Sequence, residues 1–293
     1  MGGFLDSHIH LWRLDDGESF WMREKIDGLH RDFTLADLAA LQDQCGTGGA
    51  IVVQAMHNCS ESERLLAQAE NEQRLAGVVA WADLFDPGLE QQVERYRQSP
   101  KFVGLRPLPP DTFGGDWLSD PRSTAALRTL ERLDVAVDLL VRVEDLAAAC
   151  VLLRPHEGLR SILNHAGRPA VMTQDTAHWK LAMQKIARET CAVVKCSGLV
   201  ERAGVEWTRA SLKPWVEALL DMFGSKRVMF GTNWPVMTIS ANYALWVNTL
   251  VEILEEIGLS AHEMDDVMST TAARTYRVDW PAEMTTPDAT SDT

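Results

Sequence analysis

Eight short apolar, β-branched runs recur along the 293-residue chain, each followed by an amphipathic stretch. They read GFLDSHIH (3–10), GAIVVQA (49–55), LAGVVAWADL (75–84), FVGLRP (102–107), VAVDLLV (135–141), SILNHAG (161–167), CAVVKCSG (191–198) and RVMFGTNW (227–234). Helix signals lie between them. TLADLAALQDQC opens on Thr34, SESERLLAQAENEQ carries a capping-box pattern from Ser60 to Glu63, and SAHEMDDVMSTTAARTY repeats the box from Ser260 to Glu263. Strands that alternate with helices pair in parallel through right-handed crossovers. The predicted fold class is therefore α/β, a single (β/α)8 TIM-type barrel. An open doubly wound sheet would carry a Gly-rich phosphate turn after its first strand, and HIHLWRLDDG has none.

A chain of this length that is 46% apolar can fill one large core. The barrel is expected to take residues 1–280, with 281–293 a flexible C-terminal tail. A net charge of −14 argues against nucleic acid or an anionic membrane surface as partner. No run of eighteen apolar residues suggests a membrane span, and no secretory pattern opens the chain. Cys45, Cys59, Cys150, Cys191 and Cys196 are scattered without a CxxC spacing, which reads as reduced thiols and an expected cytoplasmic location. A homo-oligomer stays open.

In such a barrel chemistry gathers at the C-terminal strand ends. Strand one ends on His8 and His10, strand two on Gln54 with His57 just beyond, and strand four on Arg106. Strand six ends on His165, strand seven on Lys195, and strand eight on Asn233 before Trp234. Side chains two apart on a strand share a face, so His8 and His10 both point inward. Polar groups inside a barrel are costly unless partnered, and six strand ends supply them at one level. Each has a bland alternative: a hydrogen-bonded core histidine, an arginine paired with an acid, a core lysine beside a carboxylate. His57 and Cys59 lack a third orienting group and do not read as a nucleophile pair. His30, His156, His178 and His262 read as surface residues.

The segments DSHIHLW, VVQA, GLRP, VDLLV, NHAGRP, KCSGLV and MFGTNWPV, in this order over residues 4–280, resemble the amidohydrolase superfamily. Within it they resemble the amidohydrolase-2 group of sugar-lactone hydrolases and 2-pyrone-4,6-dicarboxylate lactonases. The resemblance implies hydrolysis of a cyclic ester on a (β/α)8 fold. It makes His8, His10, His165 and Asn233 the catalytic candidates, with Arg106 as the substrate-binding arginine. Trp12, Trp179 and Trp234 match aromatic positions that recur in such lactonases, and Gln54, Lys195 and His57 join the substrate-binding candidates. Two departures stand out. The family reads FGSDWP where this chain reads FGTNWP, so an amide replaces the expected strand-eight base. No histidine ends strand five and no lysine stands in VGLRP, so a two-metal site is not expected. The resemblance implies either no metal or one loosely held zinc or manganese ion, with His8 and His10 as its ligands.

The expected activity is attack of water on a lactone carbonyl, with the developing oxyanion stabilised by imidazoles and Arg106. An asparagine cannot accept the water's proton, and losing a general base typically costs about 10²–10⁴ in rate. Either Asn233 is a substitution that disables the site, the reading preferred from sequence, or another group serves as base. Phe20, Trp21 and Met22, with Trp12, suggest an aromatic loop over the ligand and favour a neutral aldonolactone. If several of Arg106, Arg142, Arg168 and Lys195 face inward, a carboxylate-bearing lactone is favoured instead. Alternatives from other classes are a metal-dependent decarboxylase on a related barrel and a ligand-binding barrel without activity.

Overall fold

The structure is a computed structural model that describes residues 3–16, 26, 28–107, 115–173 and 176–281. Eight strands form one parallel sheet in chain order. They are β1 (Phe4–Ile9), β2 (Thr47–Val53), β3 (Leu75–Ala80), β4 (Phe102–Leu105), β5 (Ala136–Leu139), β6 (Ser161–Leu163), β7 (Val193–Cys196) and β8 (Val228–Phe230). Seven fall within the apolar runs, and β2 begins two residues before its run. The sheet closes just past the end of β8, where Ile9 bridges Trp234 in parallel. There the His10 N–H donates to the Trp234 carbonyl at 2.7 Å, and the Asn233 N–H donates to the His8 carbonyl at 2.8 Å. The fold is a (β/α)8 barrel, as the alternation predicts.

The helices are α1 (Leu35–Cys45), α2 (Cys59–Ala69), α3 (Leu89–Tyr96), α4 (Pro121–Arg132), α5 (Leu146–Leu153) and α6 (Ala177–Glu189). They continue with α7 (Leu199–Ala203), α8 (Arg209–Phe223), α9 (Tyr243–Ile257), α10 (Ala261–Asp265) and α11 (Thr271–Tyr276). Thr34 and Ser260 cap α1 and α10 with full capping boxes. The cap of α2 is Asn58, not Ser60. Asn58 Oδ1 accepts the Glu61 N–H at 2.8 Å and the Ser60 hydroxyl at 3.0 Å, so the helix starts before the expected serine. The short α7, absent from the sequence reading, fills the turn between β7 and α8.

Alternation along the strands sorts the apolar residues into two cores. Ala50, Val52, Val137 and Leu163 face outward into the layer beneath the helices. Leu5, Ile51, Val79, Ile162 and Met229 fill the lower interior, closed from below by Ala272 and Tyr276 of α11. Each such fully buried side chain contributes about 1.5–3 kcal/mol, so the lower barrel is a packed plug, not a pore. Above it the interior turns polar. Among the described residues no helix is long and apolar enough to cross a membrane. The expected tail from 282 onward lies outside the described residues.

Candidate active site

The seam between β1 and β8 is held by Asp6. Its carboxylate accepts the Thr232 N–H at 2.9 Å, the Thr232 hydroxyl at 2.6 Å, the Tyr243 hydroxyl at 3.1 Å and the His8 N–H at 3.1 Å. Burial pushes its pKa up to about 6, against the pull of those donors. By tying Thr232 to β1, Asp6 delivers Asn233 to the end of the histidine strand. Asn233 reaches this place with a left-handed φ of 61°.

Beneath the seam a hydrogen-bonded chain runs up the barrel axis. The Tyr276 hydroxyl donates to Asp138 Oδ1 at 2.6 Å, and Lys195 Nζ donates to Asp138 Oδ2 at 2.6 Å and to His8 Nδ1 at 3.1 Å. His8 Nε2 lies 3.3 Å from His10 Nε2, and His10 Nδ1 lies 2.7 Å from the Val53 carbonyl. The network assigns the tautomers. A carbonyl only accepts, so His10 carries its proton on Nδ1; an ammonium only donates, so His8 carries its proton on Nε2 and gives it to His10. Burial holds His8 well below the usual imidazole range, and the Lys195 cation adds to this. Burial likewise takes His10 to about 3, with Arg106 the largest charge acting in the same direction. Both rings are neutral at physiological pH.

Above His8 a cavity of about 200 Å³ opens. Its polar wall holds His10, Arg106, His165, Asn233, Glu201 and Arg168, and Ile26, Leu29, Leu140 and Val236 form an apolar wall. Arg106 is 5% exposed, donates to the Gln54 carbonyl and to Gln54 Oε1 at 3.2 Å, and keeps a buried Nε without a partner. Burial lowers it to about 10, so it stays a cation. His165 stacks at a tilt on His8 with centroids 4.5 Å apart, and its Nδ1 lies 3.0 Å from the Ser197 hydroxyl. Burial and the Arg106 and Arg168 cations hold its pKa well below the imidazole range. Its own φ is 54°, and Gly198 makes room for it: a Cβ on Gly198 would lie 2.6 Å from the His165 Cβ.

The same corner carries a group that sequence reading passed over. Glu201, on α7, accepts from Asn233 Nδ2 at 2.6 Å through Oε1, while its buried Oε2 has no partner. Burial pushes its pKa up to about 7. The signal was an acid three residues after Gly198, in a loop following a strand end, where barrels place their chemistry. Arg202 beside it also lines the cavity, donating Nε to the Pro169 carbonyl at 2.6 Å.

Of the residues singled out from sequence, His10, His57, Arg106, His165 and Asn233 line the cavity, with His57 stacked parallel to Trp81 at 6.3 Å. His8 and Lys195 lie beneath it, fully buried, and Gln54 holds Arg106. The three tryptophans are not brought to it. Trp12 donates to the Arg31 carbonyl and packs edge-on against Phe33, Trp234 packs against the same Phe33, and Trp179 donates to the Ala166 carbonyl against Trp215. Each ring is spent on packing, as large aromatic faces usually are. Phe20, Trp21 and Met22 lie outside the described residues. Arg142 turns outward to Asp145 and Glu144. His156 is not a surface residue: it is 3% exposed and meets Glu131 at 3.0 Å. A second buried glutamate, Glu61, takes the N–H groups of Ala55 and Met56 on its two oxygens and shapes the loop after β2.

The residues present do not fit a firmly held divalent metal. The two Nε2 atoms of His8 and His10 are spaced as in a tetrahedral zinc site, whose edge is about 3.3 Å for bonds of about 2.05 Å. Their hydrogen bond, however, uses the one lone pair between them, and the Lys195 ammonium stands directly behind. Among the described residues no three His, Cys, Asp or Glu side chains are grouped to hold an ion, and the strand-eight carboxylate is an amide. Freeing His8 Nε2 requires moving its proton toward a cation.

Fold, seam and strand-end constellation define a hydrolase-type barrel, and the chain belongs to the amidohydrolase family, whose model it matches over residues 5–278. It is 32% identical to an L-fucono-1,5-lactonase of Burkholderia multivorans, over 95% of this chain and 97% of that protein. It is 28% identical to an L-fucono-1,5-lactonase of Burkholderia ambifaria, over 95% and 97% of the two chains. The crystal structure of an amidohydrolase from Burkholderia multivorans with bound zinc superposes with a TM-score of 0.87 at 32% identity, covering 95% of this chain and all of that one.

Proposed function

We propose that this protein hydrolyses the lactone of a sugar acid, opening the ring ester by attack of water. The observation that carries this reading is the convergence of Arg106, His165 and Asn233 over neutral imidazoles in one cavity, opposite an apolar wall. The relatives named L-fucono-1,5-lactonase support the same chemistry. A lactone carbonyl directed at Arg106 meets a cation with an unspent N–H, and the charge that develops on its oxygen is stabilised there. His165, beside Arg106 and Arg168, adds a second polar contact on the same side. The apolar residues suit the C–H face of a saturated ring. No step is routed through a metal, and residues 1–280 act as one catalytic unit.

The cations decide the substrate's charge. Lys195 and Arg142 are committed to ion pairs, but Arg168 joins Arg106 in the wall, Arg202 follows, and among the described residues no acid pairs with Arg168 within ion-pair distance. Among the described residues, three guanidiniums and one carboxylate, Glu201, line the cavity. We therefore assign a lactone that carries a further carboxylate, in place of the neutral lactone preferred from sequence. A pH-indicator assay over neutral aldonolactones and carboxylate-bearing lactones tests both parts. The expected result is hydrolysis with kcat/KM at least tenfold higher for the carboxylated lactone, narrowed by Arg168→Gln. Equal rates would return the neutral substrate. Tight binding with no turnover of any lactone would make the molecule a binding barrel.

A further inference from the structure

We infer that Glu201 has taken over the general-base role that the strand-eight position lost, with Asn233 as the residue that positions it. The inference deepens the lactonase reading and rests on it. The argument is one of elimination and geometry. Asn233 cannot hold a proton. His10 has one nitrogen donating to the Val53 carbonyl and the other accepting from His8. His165 sits among guanidiniums that oppose its protonation. Glu201 is the single carboxylate in the cavity wall among the described residues.

Its two oxygens have different duties. Oε1 is tethered by Asn233 Nδ2 at 2.6 Å, and Oε2 is shielded from bulk water with no hydrogen-bond partner. Glu61 provides the internal contrast. It is equally raised, to about 7, but backbone N–H groups of Ala55 and Met56 occupy both of its oxygens, so neither is left unspent. An unspent acceptor beside a cavity is what an attacking water requires. The raised affinity of Glu201 for a proton brings it near the operating pH, where a base works best. The titratable and charged groups that share its cavity are His10, His57, Arg106, His165, Arg168 and the neighbouring Arg202; burial raises its affinity for a proton, while the Asn233 hydrogen bond and the Arg202 cation oppose that rise.

The step balances. Water gives a proton to Glu201 Oε2 while its oxygen bonds to the lactone carbonyl carbon, and the C=O electron pair moves onto the oxygen facing Arg106. Collapse re-forms the C=O and breaks the ring C–O bond. The departing ring oxygen takes the proton back from Glu201, leaving an open hydroxy acid.

The test is steady-state kinetics of wild type, Glu201→Gln and the Glu201→Gln/Asn233→Asp double variant, with folding checked by circular dichroism. Glu201→Gln is expected to lower kcat by about 10²–10⁴ with KM within about threefold. It should also abolish the acidic limb of kcat/KM, which in wild type is expected to fall away below a pH of about 7. The double variant moves the carboxylate across the hydrogen bond to strand eight and should recover at least tenfold over the single variant. Isotope-edited infrared titration of wild type should show a buried carboxylic acid ionising near the same pH, which holds even where a variant misfolds. A folded Glu201→Gln within threefold of wild type, an unchanged acidic limb, or no such carboxyl in the infrared would overturn the assignment while leaving the lactonase reading intact. Wild type inert to every lactone would overturn the lactonase reading and this inference with it.

Discussion

The lower and upper halves of the barrel interior differ in one respect: whether their polar atoms are spent. Below His8, the chain from Tyr276 through Asp138 and Lys195 leaves its hydrogen-bonding groups paired in a packed interior. Above it, Arg106 Nε, Asn233 Oδ1 and Glu201 Oε2 are all shielded yet lack partners. Unpaired buried polar groups cost free energy, and native proteins tolerate them where a ligand will complete them. The lower half is a fixed base that orients two imidazoles; the upper half is held ready for a substrate. Stability and activity should therefore separate along the barrel axis.

The largest expected effect breaks the base. Lys195→Met strands the Asp138 carboxylate, which is fully buried, and should cost about 3–5 kcal/mol in urea unfolding. A loss below 1 kcal/mol would mean that the ion pair is not what holds the lower half. The next effect belongs to the upper half. Arg106→Met removes the donor proposed to face the lactone carbonyl oxygen and should lower kcat/KM by about 10²–10³, equivalent to about 2.7–4 kcal/mol of transition-state stabilisation. Its unfolding midpoint should move far less than that of Lys195→Met; equal losses of stability would erase the division. Tyr276→Phe gives the smallest change. Removing one hydrogen bond to Asp138 should cost about 1 kcal/mol of stability, with kcat/KM within twofold of wild type.

The same axis separates what could be read in advance. The strand ends were legible because alternation assigns a face to each residue and a parallel barrel sends its later residues upward. His8, His10, Arg106 and His165 follow from that rule alone. Lys195 was visible as a polar strand end, but its direction was not: it points to Asp138 on β5, 57 positions away, and never reaches the cavity. The tryptophans mislead for a related reason. A ring at the rim and a ring packed beneath a helix have the same signature in a sequence, and only contacts such as Trp12 on Phe33 tell them apart.

The chain by itself determined the barrel, the order of its strands and the level at which polar residues collect, because periodicity and strand ends are local properties. Tertiary structure alone decided which of those residues meet. Closing β1 onto β8 sets Asn233 at the mouth, and the turn after β7 swings Glu201 across to it over 32 positions of sequence. A carboxylate missing from strand eight and a carboxylate present on α7 are unrelated features until the sheet is rolled shut. Their 2.6 Å hydrogen bond is a property of the closed cylinder.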